Sequence, residues 1–114
     1  VESSEHARER GIERMLVVVE SIPVGHVLTY GDVAALAGYG GPRTAGQAMA
    51  HYGSAVPWHR VVTADGRPPA HAAALALERL RADGVPLTAD GGRVRMSSAR
   101  WAPPADRFDE LIGE

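Results

Sequence analysis

The stretch "TYGDVAALAGYGGPRTAGQAMAHY", residues 29–52, constrains the fold more than any other part of the chain. Thr29 is a good helix N-cap, and Asp32 stands three positions on, where a capping box needs it. Val33, Leu36 and Ala37 then share one face of a short helix over 30–38, and Gly38 is a natural C-terminal stop. "GYGGP" is a turn. Pro42 suits the first position of a second helix, which runs to Tyr52. Two short helices joined by a Gly-rich turn are the outline of a helix-turn-helix. Arg43, at the start of the second helix, lies where such motifs meet nucleic acid. A cation there is disfavoured by the helix dipole, whereas a phosphate is favoured. Gly46 costs roughly 1 kcal/mol against Ala in a helix interior. The small residues Ala45, Gly46, Ala48 and Ala50 let this helix approach another surface closely, either a neighbouring helix or a second molecule.

Around this centre the spacing predicts a helix over 4–20, with Ile12, Met15, Leu16 and Val19 at helical intervals, ended by Pro23 and Gly25. "VPWHRVVTADG" (56–66) reads as a strand closed by an Asp-Gly turn. A further helix is expected over 71–84, ending at Asp83-Gly84. Residues 85–87 and 91–98 read as a short strand or hairpin, and a Pro-containing, partly ordered tail begins at about 99. The expected fold class is mainly α with a small β component, a winged-helix-like helix-turn-helix domain spanning 1–114.

The chain has 114 residues, 45% of them hydrophobic, which suits one globular domain. There is no Cys, hence no disulfide, thiolate nucleophile or Cys-type zinc site. No apolar run approaches the ~20 residues of a membrane span. The polar start (Glu2, Ser3, Ser4, Glu5) shows no signal peptide, so a cytoplasmic location is expected, nucleoid-associated in a bacterium. A net charge of −2 argues weakly against nucleic acid, but its distribution argues the other way. All 12 basic residues are Arg, and no carboxylate occurs from Val33 to Ala64, where Arg43, His51, His59 and Arg60 fall. Acidic groups gather towards the ends, at Glu2, Glu5, Glu9, Glu13 and Glu20 and at Asp106, Asp109, Glu110 and Glu114.

The order "LTYGDVAALAG", "PRTAGQAM", "VPWHRVV" and a helix ending "LRADGV" resembles the C-terminal domain of the O6-alkylguanine-DNA alkyltransferases over about residues 12–101. In that family the helix-turn-helix docks in the DNA minor groove. A Tyr and an Arg, matching Tyr30 and Arg43, help turn the damaged guanine out of the stack. A Pro-Cys-His-Arg-Val motif carries the alkyl acceptor. Here that acceptor position is Trp58. The substitution resembles the alkyltransferase-like proteins, which bind alkylated DNA without repairing it and pass it to nucleotide excision repair. An indole is only an N–H donor and no practical nucleophile, so the chain is expected not to be an enzyme.

The resemblance implies DNA contact by Thr29, Tyr30, Arg43, Thr44, Ala45, Gly46 and Gln47. It implies a lesion pocket formed by Tyr30, Pro57, Trp58, His59, Arg60, Arg67 and Trp101. Arg67 is assigned by position alone, because "HYGSAV" (51–56) and "DGRPPAHAAA" (65–74) depart from the enzymes' loops. His59 and Asp83 match the enzymes' His–carboxylate pair and are expected to form a structural hydrogen bond. Arg60 is expected to brace the pocket loop through backbone carbonyls. Trp101 in "ARWAPP" resembles a C-terminal loop that closes over the lesion; the alternative is an aromatic that anchors the tail. No cofactor or metal is expected. The expected partners are duplex DNA containing O6-alkylguanine and nucleotide excision repair proteins, with the chain acting as a monomer and touching no membrane.

Two other functions fit less well. A sequence-specific transcriptional regulator needs long polar side chains on the second helix, and Gln47 is the main one. A hydrolase or metalloenzyme using His51, His59 and His71 lacks any HExxH-type spacing.

Overall fold

In the computed structural model, which describes residues 4–112, helix α1 (Ser4–Glu20) leads to a two-residue strand β1 (Leu28–Thr29). Helices α2 (Tyr30–Ala37) and α3 (Pro42–Tyr52) follow, then strand β2 (Val61–Val62) and helix α4 (Ala73–Ala82). Two single turns of helix, α5 (Met96–Ala99) and α6 (Asp109–Ile112), complete the order. β1 and β2 pair in parallel, Leu28 with Val61 and Thr29 with Val62. Parallel strands need a long crossover, and α2 and α3 supply it. The molecule is thus mainly helical with a small sheet.

The sheet separates two apolar clusters. Leu28 and Val61 belong to the larger one, with Met15, Val18 and Val19 of α1, Val33 of α2, and Ala45 and Met49 of α3. Val27 and Val62 belong to the smaller, with Leu80, Val85, Val94 and Ala99. Successive side chains along an extended chain point to opposite faces, so the adjacent pairs Val27–Leu28 and Val61–Val62 serve both clusters.

Three expectations are corrected. Residues 56–66 are not one strand. Gly53–Ala55 and Trp58–Arg60 form 3-10 turns, and only Val61–Val62 is extended and paired. Pro57 has no N–H to give a ladder; its carbonyl instead accepts from Arg60 N at 3.0 Å. The helix expected from 71 begins as a 3-10 turn at Ala70–Ala72 and becomes α-helical at Ala73. The hairpin expected within 85–98 shrinks to one antiparallel bridge, Leu87 with Val94, after which Met96–Ala99 turns helical.

The tail is tied down through residue 112. Val27 N donates to Ala99 O at 3.0 Å and Trp101 N to Val27 O at 2.8 Å, which lays residues 99–101 beside β1. Phe108 is buried and meets the Trp101 ring edge-on at 6.2 Å. Glu2 and Glu114, two of the charges read from the sequence, lie outside the described residues. Among the described residues no helix is long and apolar enough to cross a membrane.

Candidate nucleic-acid interface

The helix-turn-helix is held by its caps. Thr29 is extended, its hydroxyl accepts from Asp32 N at 2.9 Å, and Asp32 accepts from Thr29 N at 3.0 Å. Asp32 also takes a two-pronged contact from Arg100, Nε to Oδ2 at 2.9 Å and Nη2 to Oδ1 at 2.5 Å. Partial burial pushes the Asp32 carboxyl up. The hydrogen bonds from Arg100 and Thr29 and the Arg100 charge outweigh it and hold the group below its ordinary value. α2 ends at Gly38 in the left-handed conformation, φ 66°. Tyr30 follows the cap directly. It is half-buried, and burial raises its hydroxyl pKa.

α3 presents two faces. Ala45, Ala48 and Met49 are buried in the core. Arg43, Gln47 and Ala50 are exposed, and Gly46 is partly so. A Cβ built on Gly46 would meet nothing within 4 Å. No neighbouring helix therefore requires a glycine there, and the close-packing alternative falls away. The face of α3 that carries Gly46 opens onto a cavity of about 190 Å³. Tyr30 borders it, α3 and the turn after it contribute Gly46, Met49, Ala50, Gly53 and Ser54, and Trp58, Pro69, His71 and Ala72 complete its lining. Its volume is below the roughly 300–1,000 Å³ of sites that enclose whole drug-sized ligands. No carboxylate lines it among the described residues.

Trp58 is one of the aromatic residues that line the cavity. A Cβ on Gly53 would stand 3.2 Å from the Trp58 Cβ, so the glycine lets the indole seat closely against the end of α3. The next two residues turn inward. His59 is buried, and its Nε2 lies 2.9 Å from Asp83 Oδ2. Because an ionised carboxylate only accepts, Nε2 donates to Asp83, while Nδ1 is buried and without a hydrogen-bond partner. Arg60 donates from Nε to the same Asp83 oxygen and from Nη1 to Ile22 O, both at 3.1 Å. It thus braces the segment through one carboxylate and one carbonyl. Burial pushes Asp83 up, but the hydrogen bonds from His59 and Arg60 and their charges bring it below its ordinary value.

The structure brings together Tyr30, Gly46 and Trp58 of the expected site residues. Pro57, His59 and Arg60 stand behind the wall rather than on it. Three assignments are corrected. Ala45 is fully buried and offers no surface to DNA, because its place on α3 turns into the larger core cluster. Arg67 does not line the cavity. It is exposed and paired with Asp65 at 3.0 Å, since the Asp65-Gly66 turn directs it to solvent. Trp101 packs on the larger core cluster and borders a separate concavity with Leu36 and Pro103, so it anchors the tail. Thr29 and Thr44 use their hydroxyls locally, Thr44 accepting from Gly41 N at 3.3 Å.

Met49, Gly53 and Ser54 escaped notice, although with Ala50 their spacing from Gly46 continues one helical face. Pro69 and His71 carried no such signal. No His/Asp/Glu group that could hold a metal exists among the described residues.

A model of the 6-O-methylguanine DNA methyltransferase DNA-binding domain matches residues 12–85. The chain belongs to this family. Within it the chain is an alkyltransferase-like protein. It is 38% identical over 96 residues to the DNA base-flipping protein of Escherichia coli K12, covering 78% of this chain and 72% of that one. It is 32% identical over 95 residues to the DNA base-flipping protein of Vibrio parahaemolyticus, covering 79% and 94% respectively. Among solved structures it is similar to S. pombe Atl1 in complex with damaged DNA containing O6-carboxymethylguanine, with a TM-score of 0.71 and 28% identity over 90% of this chain and all of that one. With Trp58 at the acceptor position and no cysteine in the sequence, this alkyltransferase-like chain performs no alkyl transfer to itself.

Proposed function

We propose that this chain is a non-enzymatic sensor of O6-alkylguanine in duplex DNA. α3 docks in the minor groove, Tyr30 and Arg43 turn the damaged nucleotide out of the stack, and the cavity receives it. The bound lesion is shielded, or flagged for nucleotide excision repair proteins, and one copy of the chain suffices. The observation that carries this reading is the juxtaposition at the cavity mouth. Tyr30 borders it, the glycine face of α3 opens onto it, and Trp58, whose place in the motif matches the enzymes' acceptor, lines it.

Extruding a base costs a few kcal/mol of stacking and pairing. Stacking against an aromatic side chain returns ~1–3 kcal/mol, and Arg43 filling the gap offsets more. What the relatives are named for points the same way: base flipping in two of them, a complex with damaged DNA in the third.

The test is affinity for duplexes carrying one O6-methylguanine, in several unrelated sequence contexts, against the same duplexes undamaged. The lesion should tighten binding in every context, and Arg43→Ala should weaken lesion binding more than plain-duplex binding. A preference that follows the surrounding sequence rather than the lesion would favour a transcriptional regulator instead.

A further inference from the structure

We infer that Arg79 is a positioning residue for the lesion wall, holding the Trp58 indole from a side the cavity does not reach and tuning it for a purine; the inference rests on the function proposed above. Arg79 is on α4, 21 positions from Trp58 in sequence, and its guanidinium carbon lies over the Trp58 ring, 5.5 Å from the centroid. It is not among the residues that line the cavity, whereas Trp58 is. It forms no ion pair with a carboxylate among the described residues. The ring is therefore its partner.

Two consequences follow from the chemistry. A planar cation seated on an indole limits the ring's rotation, so the wall is already in place when a base arrives. The cation also draws the ring's π density towards itself. The part of the ring turned to the cavity is left poorer in electrons and accepts an electron-rich alkylguanine better. Arg79 acts on the ligand only through Trp58. It would change lesion preference without touching DNA.

The experiment uses Arg79→Met and Arg79→Lys in a Trp101→Phe background, so that Trp58 is the remaining tryptophan. It measures acrylamide quenching of the free protein and affinity for duplexes with and without one O6-methylguanine. Arg79→Met should make Trp58 more quenchable. It should lower the lesion-to-plain affinity ratio about two- to fivefold, the worth of an exposed cation–π contact. Arg79→Lys, which keeps the charge, should recover part of both. An unchanged ratio in Arg79→Met would overturn the inference. So would an equal loss on both duplexes, which would make Arg79 a phosphate contact, or a Lys variant as poor as Met. Should the background protein show no lesion preference at all, the function proposal fails, while quenching of the free protein still reads the hold of Arg79 on Trp58.

Discussion

Helices α1 and α3 each carry an interior glycine, and the two face opposite surroundings. A Cβ on Gly11 would lie 2.2 Å from the Tyr39 ring. A Cβ on Gly46 would meet nothing within 4 Å. Both cost helix propensity. Gly11 repays it inside the chain, by letting the turn between α2 and α3 lay Tyr39 on α1. Gly46 relieves no contact within the chain; under the function proposed above, its use is contact with DNA. The same division runs through "VPWHRVV": Trp58 faces the cavity, while His59 and Arg60 turn back onto Asp83. The inward positions are explained by packing, and the proposed function gives the outward ones a ligand.

The largest effect should come from Gly11. Gly11→Ala forces the Tyr39 ring to move, and overpacking of this kind costs ~1–3 kcal/mol, which thermal denaturation reads as a drop of several degrees. In a Tyr39→Ala background the same substitution should become neutral or stabilising. If it stays as costly there, Tyr39 is not what Gly11 accommodates.

Next comes the inward half of the motif. Asp83→Asn leaves Arg60 without its carboxylate in a mostly buried place and should cost about 1–3 kcal/mol at neutral pH. The pH dependence has a definite sign. A carboxyl whose pKa is lowered by folding contributes stability that is fully present above its unfolded value of about 3.9 and is lost as pH falls below it. Wild type should therefore lose stability through that window more steeply than Asp83→Asn. Parallel acid denaturation curves for the two would mean that the network is not under load.

The smallest change in stability should come from Gly46, and in the opposite direction. Gly46→Ala should stabilise the free protein by up to ~1 kcal/mol while weakening DNA binding. If it leaves DNA affinity untouched, the outward glycine has no role at the interface, and the contrast with Gly11 loses its meaning.

The helix-turn-helix was legible because its signals are local: the Thr29–Asp32 box, Gly38 and Pro42 act within a few residues. Trp58 at the acceptor position was legible through motif order. What escaped depends on long-range placement. The 56–66 run is apolar enough for a strand, but Pro57 bends it into a 3-10 turn and leaves only Val61–Val62 in the sheet. Ala45 and Gly46 are equally small and adjacent, yet one faces the core and the other the cavity, which composition cannot separate. Trp101 pairs with Phe108, seven residues on, and neither residue alone announces the other. Arg79 meets Trp58 only because α4 packs against the Trp58–Arg60 turn, and no local pattern encodes that contact.

The central claim is that the cavity holds the lesion and does no chemistry on it. The most direct measurement incubates the protein in excess with an O6-methylguanine duplex for hours. The DNA is then recovered and its methyl content assayed with a genuine alkyltransferase, alongside the intact mass of the protein. The account predicts that all of the methyl groups remain on the DNA and that the protein mass is unchanged. A methylated protein, or DNA stripped of its methyl groups, would contradict it.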